Sequence, residues 1–144
     1  MTARNFALII GIVYFLAGVL GFVPPLLSPA PETAPGVGIT AFYGYLLGLF
    51  PVNFMHNLVH LAIGAWGIAA SKSLGGARAF SKTLAVLYGV LAVMGLVPAL
   101  NTMFGLAPLH GHDVWLHGGT AALAAYFGWF STRTEADVRK AAAH

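Results

Sequence analysis

Six histidines stand out in a chain with few other titratable side chains, and five of them lie in two short segments. The first segment, GLFPVNFMHNLVHL, contains His56 and His60, four positions apart. The second segment, GLAPLHGHDVWLHG, contains Asp113 and His117 at the same spacing. Residues four apart lie on one face of a helix. Each segment therefore predicts a helix face with two side chains that can bind a metal ion or carry a proton.

The two segments align with each other, which predicts an internal repeat. An offset of 57 positions takes Pro51 to Pro108, and an offset of 74 positions takes Tyr14 to Tyr88. The sequence thus predicts two helical hairpins of one type, and sites in such proteins lie at the repeat interface. The polar positions matched by the first offset are Asn53 with His110, His56 with Asp113, and His60 with His117.

The composition indicates that lipid surrounds this chain. Of its 144 residues 58% are apolar and only 8% are charged, and the mean hydropathy is +0.81. A soluble domain carries about 25% charged residues. The net charge of +3 is explained by membrane topology, so the bilayer is the predicted partner and nucleic acid is not. The absence of cysteine excludes disulfides and thiolate metal ligands.

Four apolar segments are long enough to be membrane-spanning helices, which need about 20 residues each. We therefore predict a single all-α domain over residues 1–144, a bundle of four transmembrane helices. The first segment is too long for a usual signal-peptide core and has no A-x-A cleavage site. The predicted spans are about 6–23, 52–70, 83–100 and 114–131.

All seven basic residues fall on one side of these predicted spans. By the positive-inside rule, both termini are expected in the cytoplasm, with residues 24–50 and 101–113 facing outward. Within the longer outer loop, the apolar, aromatic segment 39–50 predicts an interfacial helix. The charged tail, 132–144, predicts a short cytoplasmic helix. The basic residues are Arg4, Lys72, Arg78, Lys82, Arg133, Arg139 and Lys140.

If the repeat is real, the two polar helix faces meet in the outer half of the bundle. Imidazoles and a carboxylate without sulfur suit zinc or copper(II). Asn53 and Asn57 are candidates for orienting the imidazoles, and His110 and His112 are expected at the mouth of the site. The helix dipole would also favour Asp113 near a helix N-terminus without any ligand. The predicted metal ligands are His56, His60, Asp113 and His117.

Two alternatives remain open at this stage. His60 and His117 could be the axial ligands of one b-type haem between the hairpins, as in other four-helix bundles. Alternatively, the polar cluster binds no cofactor and locks the two halves together, in a homo-oligomer or an accessory subunit of a membrane complex. No phosphate-binding loop, nucleophile elbow or zincin helix is present. We predict no catalytic residues, although a His–Asp cluster could also relay protons.

The segments PVNFMHNLVHLAIGAWGIAA, LYGVLAVMGLVP and GLAPLHGHDVWLHGGTAAL resemble a family of small bacterial four-helix membrane proteins known as domain of unknown function 4383. The resemblance covers about residues 4–131. It implies the four-span topology and a place in the bacterial cytoplasmic (inner) membrane, but no established activity. Its HNLVH and HGHD-x-x-x-H elements contain, in this chain, His56, Asn57, His60, His110, His112, Asp113 and His117.

Overall fold

The structure, a computed structural model, describes residues 1–131 and Ala136. The described part of the chain is built on four α-helices, which confirms the all-α class. Two of them, α1 (Ala3–Leu20) and α3 (Leu74–Leu96), are long and apolar enough to cross a membrane, with mean hydropathies of 1.9 and 1.7. The helices are α1 (Ala3–Leu20), α2 (Phe54–Ala70), α3 (Leu74–Leu96) and α4 (His112–Ala125), and α4 continues into a π-helical turn at Tyr126–Phe130.

The helices pack as two antiparallel hairpins, α1 with α2 and α3 with α4. Glycines allow the close approach in the first hairpin. A Cβ added to Gly11 would lie 2.6 Å from the backbone nitrogen of Ile68, and one added to Gly64 would overlap the backbone of Phe15. Small residues at such points let two helix backbones touch.

An arginine closes the same end of each hairpin. Arg4 Nε donates to the carbonyl of Ser71 over 2.8 Å, and Arg78 Nη2 donates to the carbonyl of Ser131 over 3.0 Å. Both carbonyls lie at the C-terminal end of the second helix of a pair, where carbonyls lack helical partners. Arg4 and Arg78 are matched by the offset of 74 positions.

The two hairpins meet through α1 and α3 near the middle of the molecule. The rings of Tyr14 and Tyr88 pack edge to face, with 5.1 Å between their centroids and 78° between their planes. These tyrosines are buried and are also matched by the offset of 74 positions. Apolar residues surround them, and the largest of these include Phe6, Phe80, Leu84 and Phe127.

The prediction of an interfacial helix over 39–50 is wrong, because this segment forms strands. It contains one strand and the first residue of the next strand of a small antiparallel sheet, in which Tyr45 lies opposite Pro51. Proline is tolerated there because its strand is at the sheet edge. The strands, in spatial order, are β1 (Leu27–Ser28), β2 (Gly44–Leu46) and β3 (Phe50–Val52).

The same left-handed turn precedes α2 and α4. Leu47 and Gly48 have φ angles of 54° and 73°, and Phe104 and Gly105 have φ angles of 57° and 87°. Each second position is glycine, which adopts positive φ without steric cost. These positions are related by the offset of 57, so matched loops share an unusual backbone conformation.

The third helix begins earlier than its apolar pattern predicts. We expected a span over 83–100, whereas α3 covers Leu74–Leu96 and carries Arg78 and Lys82 in its first turns. Ser73 caps its start by accepting a hydrogen bond from the Gly76 amide. Hydropathy locates an apolar segment rather than a helix, so it does not detect the basic first turns of α3. The helix predicted for the tail, 132–144, lies outside the described residues apart from Ala136.

Candidate metal centre

Three imidazoles come together where α2 faces α4. The side chains of His56, His60 and His117 each offer one ring nitrogen, and these three atoms lie within 4.8 Å of one another. All three residues are buried, and His117 is only 1% exposed. The Nε2 atoms of His56 and His60 are 3.1 Å apart. The structure therefore brings together three of the four predicted ligands as one mutual cluster.

The ring of His56 is held in a defined orientation by the second hairpin. Its Nδ1 lies 3.0 Å from the carbonyl oxygen of Pro108. Because a carbonyl can only accept, Nδ1 carries the proton and Nε2 presents its lone pair to the cluster. Hydrogen bonds of this kind fix the tautomer and the ring plane of metal-binding histidines. The sequence alone did not indicate Pro108 as a contributor, although it marks the repeat.

The fourth predicted ligand, Asp113, lies beside this cluster. Its Oδ2 is 3.6 Å from His56 Nε2, too far for a hydrogen bond but close enough for a shared cation. The residue is 1% exposed, and neither carboxylate oxygen has a hydrogen-bond partner within the described residues. His117 Nδ1 is likewise buried and unpartnered there. Buried polar atoms are normally hydrogen-bonded, so these atoms are free to accept a hydrogen bond or to coordinate an ion.

Two tyrosines pack against the histidines of the cluster, and sequence reasoning did not assign them to it. The Tyr14 ring packs edge-on against His60 at 4.9 Å, and the Tyr88 ring packs edge-on against His117 at 4.8 Å. The Tyr14 hydroxyl shares a hydrogen bond of 2.9 Å with Thr120 Oγ1 of α4. The offset of 74 positions pairs the two tyrosines, and this pairing is the sequence feature that could have linked them to the cluster.

Asn53 and Asn57 do not orient the imidazoles as predicted. Asn53 caps α2, because its Oδ1 accepts from the backbone amide of His56 at 3.0 Å. Its Nδ2 donates to the carbonyls of Ile39 and Leu106, which ties the loops before α2 and before α4 to the start of α2. Asn53 thus positions the backbone of His56 rather than its ring.

Asn57 points toward the end of α1. Its Nδ2 donates to the carbonyl of Gly21 at 2.6 Å, and its Oδ1 has no hydrogen-bond partner among residues 1–131 and 136. A glycine is required at position 21, because a Cβ there would overlap the Asn57 amide. Asn57 therefore connects α2 to the α1 C-terminus and serves the hairpin rather than the cluster.

The two loop histidines lie outside the cluster. His110 is buried, and its ring centroid is 6.2 Å from that of Tyr45. Burial lowers the pKa of His110, because the charged form loses its hydration. His112 is exposed at the first turn of α4, with its ring 6.3 Å from Phe50. Neither is one of the three histidines whose ring nitrogens lie within 4.8 Å of one another.

These features define a small helical protein whose two hairpins enclose a buried histidine cluster. The chain belongs to the DUF4383 family, because the model of this domain of unknown function matches residues 4–130. No curated protein and no solved structure matches the chain.

Proposed function

We propose that this chain is a four-span integral membrane protein that binds a divalent metal ion, zinc or copper, through His56, His60 and His117, with Asp113 as the adjacent carboxylate. The observation that supports this most is the mutual approach of three buried ring nitrogens within 4.8 Å. Side chains of this kind carry a high cost inside a membrane and mark functional sites there.

The spacing of the ligand atoms suits a tetrahedral ion. Zinc–nitrogen bonds of about 2.0–2.1 Å place neighbouring ligands about 3.3 Å apart. The distance between His56 Nε2 and His60 Nε2 is 3.1 Å, and that between His56 Nε2 and Asp113 Oδ2 is 3.6 Å. The three imidazole nitrogens lie within 4.8 Å of one another, so the ring of His117 would have to move toward the other two to complete the coordination.

The protonation states indicate what metal binding requires. Since His56 Nε2 carries a lone pair, His60 Nε2 donates the hydrogen bond between the two rings. For His60 Nε2 to bind a metal ion, the His60 ring would have to take the other tautomer, with its proton on Nδ1 and a lone pair on Nε2. Coordination by all four side chains would make the site structural or a carrier site. Coordination by the three imidazoles alone would leave a position open for a substrate.

The outer surfaces of the helices support a membrane location. Val86, Val90 and Val93 follow one face of α3, and each is more than half exposed. Trp115 and Trp129 are exposed toward the two ends of α4 and its π-helical extension, where membrane proteins place aromatic residues. The basic residues support cytoplasmic termini, with the metal site opening to the outer side.

The haem alternative is less well supported by the geometry. A porphyrin between His60 and His117 would need a wide flat gap, but the His56 ring lies 4.3 Å from the His60 ring and 6.2 Å from the His117 ring. The cavity that borders all three imidazoles measures about 80 Å³. The nearby glycines Gly64 and Gly67 face the backbone of α1 rather than this gap.

A cofactor-free lock is the second candidate. The hydrogen bonds of His56 with Pro108 and of Tyr14 with Thr120 join the two hairpins without any ion. Such a lock could stabilise the fold or a larger membrane complex. It does not explain the unpartnered oxygens of Asp113 or the unpartnered Nδ1 of His117.

Metal analysis of the purified protein separates these candidates. The protein is produced without a polyhistidine tag and analysed by mass spectrometry for bound zinc, copper and iron. We expect about one equivalent of zinc or copper in the wild type, and loss of it in His60→Ala and in His117→Ala. His112→Ala is the matched control, since this exposed imidazole lies outside the cluster, and it should keep the metal. Equal metal content in all variants, or a haem Soret band, would overturn the proposal.

A further inference from the structure

A second, larger cavity lies between α1 and α4 and ends at the polar cluster. Its volume is about 320 Å³, within the range of small-molecule sites, which begins at about 300 Å³. Its walls come from α1, the β2–β3 hairpin and α4, and they are apolar except at one end. At that end, Asp113 and His60 are the polar lining residues.

The two cavities lie at corresponding places in the two halves of the chain. The smaller one lies between α2 and α3, beneath the loop that precedes α4. The larger one lies between α4 and α1, beneath the hairpin that precedes α2. Residues matched by the two offsets line equivalent walls, and they include Ala17 with Leu91, Phe50 with Ala107, and Val52 with Leu109. The fold therefore builds the same kind of pocket twice.

The matched residues that line the two cavities include one exchange of an imidazole for a carboxylate. Where the smaller cavity has His56, the larger one has Asp113. His56 has a hydrogen-bond partner in Pro108, whereas neither oxygen of Asp113 has one among the described residues. A buried carboxylate without partners carries a large free-energy cost. A group that donates hydrogen bonds from within this cavity would satisfy it.

We propose that the cavity between α1 and α4 binds a single-chain amphiphile whose head group donates hydrogen bonds to Asp113 while its hydrocarbon chain lies against α1 and the β2–β3 hairpin. The shared chemistry is a hydroxyl or ammonium head on an apolar tail. This inference rests on the proposed function in one respect: it takes the form of the site in which the three imidazoles alone hold the ion, which leaves the Asp113 oxygens without a partner.

The apolar walls explain why the occupant must be amphiphilic. Leu46, Phe50 and Val52 offer no hydrogen bond to a polar tail, whereas Asp113 borders the cavity and has two buried oxygens without partners among the described residues. Leu116, on the α4 wall, is 38% exposed, so the cavity lies close to the outer surface of the helices. In the proposed membrane setting, that surface faces acyl chains, and a lipophilic molecule would enter laterally.

The test uses metal-depleted protein in phosphatidylcholine nanodiscs and a 1-decanol probe with a photoreactive diazirine near its tail. Cross-links are mapped by peptide mass spectrometry and are expected on α1 and on the β2–β3 hairpin. Unlabelled 1-decanol should compete about tenfold better than decyl methyl ether, which has no donor, given the strength of a hydrogen bond to a charged group. Decylamine competing better than 1-decanol would identify an ammonium head, and the reverse order would identify a hydroxyl.

Substitutions test the role of the carboxylate. The preference for alcohol over ether should disappear in Asp113→Leu. Asp113→Asn keeps one acceptor oxygen, so part of the preference for the alcohol should remain. This variant also keeps the test decisive if Asp113→Leu does not fold. Equal competition by 1-decanol and its ether in the wild type, or cross-links confined to other helices, would overturn the proposal, whatever the metal content of the protein.

The absence of native cysteine provides a matched control for the location. Leu116→Cys and Val59→Cys change equivalent positions of the two repeats, one in each cavity wall. Reaction of Leu116→Cys with a bulky maleimide should abolish specific cross-linking in the larger cavity. The same reaction in Val59→Cys should leave it unchanged. Loss of cross-linking in both labelled variants would count against a site confined to the larger cavity.

Discussion

His56 and Asp113 face each other between the two hairpins, with 3.6 Å between the imidazole Nε2 and the carboxylate Oδ2. The offset of 57 positions relates them, and they lie in the first turns of α2 and α4. An imidazole and a carboxylate are therefore neighbours where a protein of two identical halves would have two identical side chains.

The first prediction concerns the charge of Asp113. Asp113→Asn keeps the size of the side chain but removes the anion next to the three imidazoles. We expect zinc affinity to fall about 10–100-fold, the usual effect of losing a group that supports a metal site. Competition with a fluorescent chelator measures this change. His112→Ala, one position away, should have wild-type affinity, and unchanged affinity in Asp113→Asn would contradict the role given to the carboxylate.

The second prediction concerns Asn53, which caps α2 and joins two loops to it. Asn53→Ala should lower the free energy of unfolding by about 1 kcal/mol through the lost cap. It should lower it further because the carbonyls of Ile39 and Leu106 lose their donor. Asn53→Ser restores only the cap acceptor and should recover only part of the loss. Denaturation followed by circular dichroism measures both, and full recovery by serine would show that the loop contacts contribute nothing.

The third prediction uses two glycines with opposite surroundings. A Cβ at Gly64 would overlap the backbone of Phe15, whereas a Cβ at Gly119 meets no atom within 4 Å. Gly64→Ala should destabilise the protein by about 1–3 kcal/mol, as overpacking does. Gly119→Ala should stabilise it by up to about 1 kcal/mol through helix propensity. Thermal unfolding compares the two, and shifts of the same sign would contradict the close contact between α1 and α2.

The fourth prediction tests the proposed topology with two single cysteines. At Gly36, in the outer loop, and at Gly75, in the first turn of α3, an added Cβ meets nothing within 4 Å. In intact cells, a membrane-impermeant maleimide should label Gly36→Cys and leave Gly75→Cys unlabelled until the membrane is opened. The opposite labelling pattern would reverse the orientation, and labelling of both in intact cells would argue against a bilayer between them.

Much of the site could be predicted, because residues related by a fixed offset lie at equivalent places in the two hairpins. The offset of 57 paired His60 with His117, and the structure places their rings 6.5 Å apart. The offset of 74 paired Tyr14 with Tyr88, which are in contact. Their contacts with the histidines were missed, because a tyrosine in an apolar helix has no distinctive pattern of its own.

The outer loops were not predictable in the same way. Segment 39–50 is apolar and aromatic, which hydropathy alone cannot assign to a helix or to a strand. The decisive features are the positive φ at Leu47 and Gly48 and the pairing of Tyr45 with Pro51. Both depend on contacts formed only after the chain turns back. The role of Asn53 was missed for a related reason, since its donors reach carbonyls in two distant loops.

The contact between His56 and Asp113 also bears on how such a fold could arise. An ancestral homodimer of one hairpin would carry the same side chain at both positions, either two imidazoles or two carboxylates a few ångströms apart. Two carboxylates so close cannot both remain ionised. Fusion of the two copies into one polypeptide removes that restriction, because each copy then mutates alone. A fused gene of this kind can therefore place a carboxylate opposite an imidazole while its other matched positions stay alike.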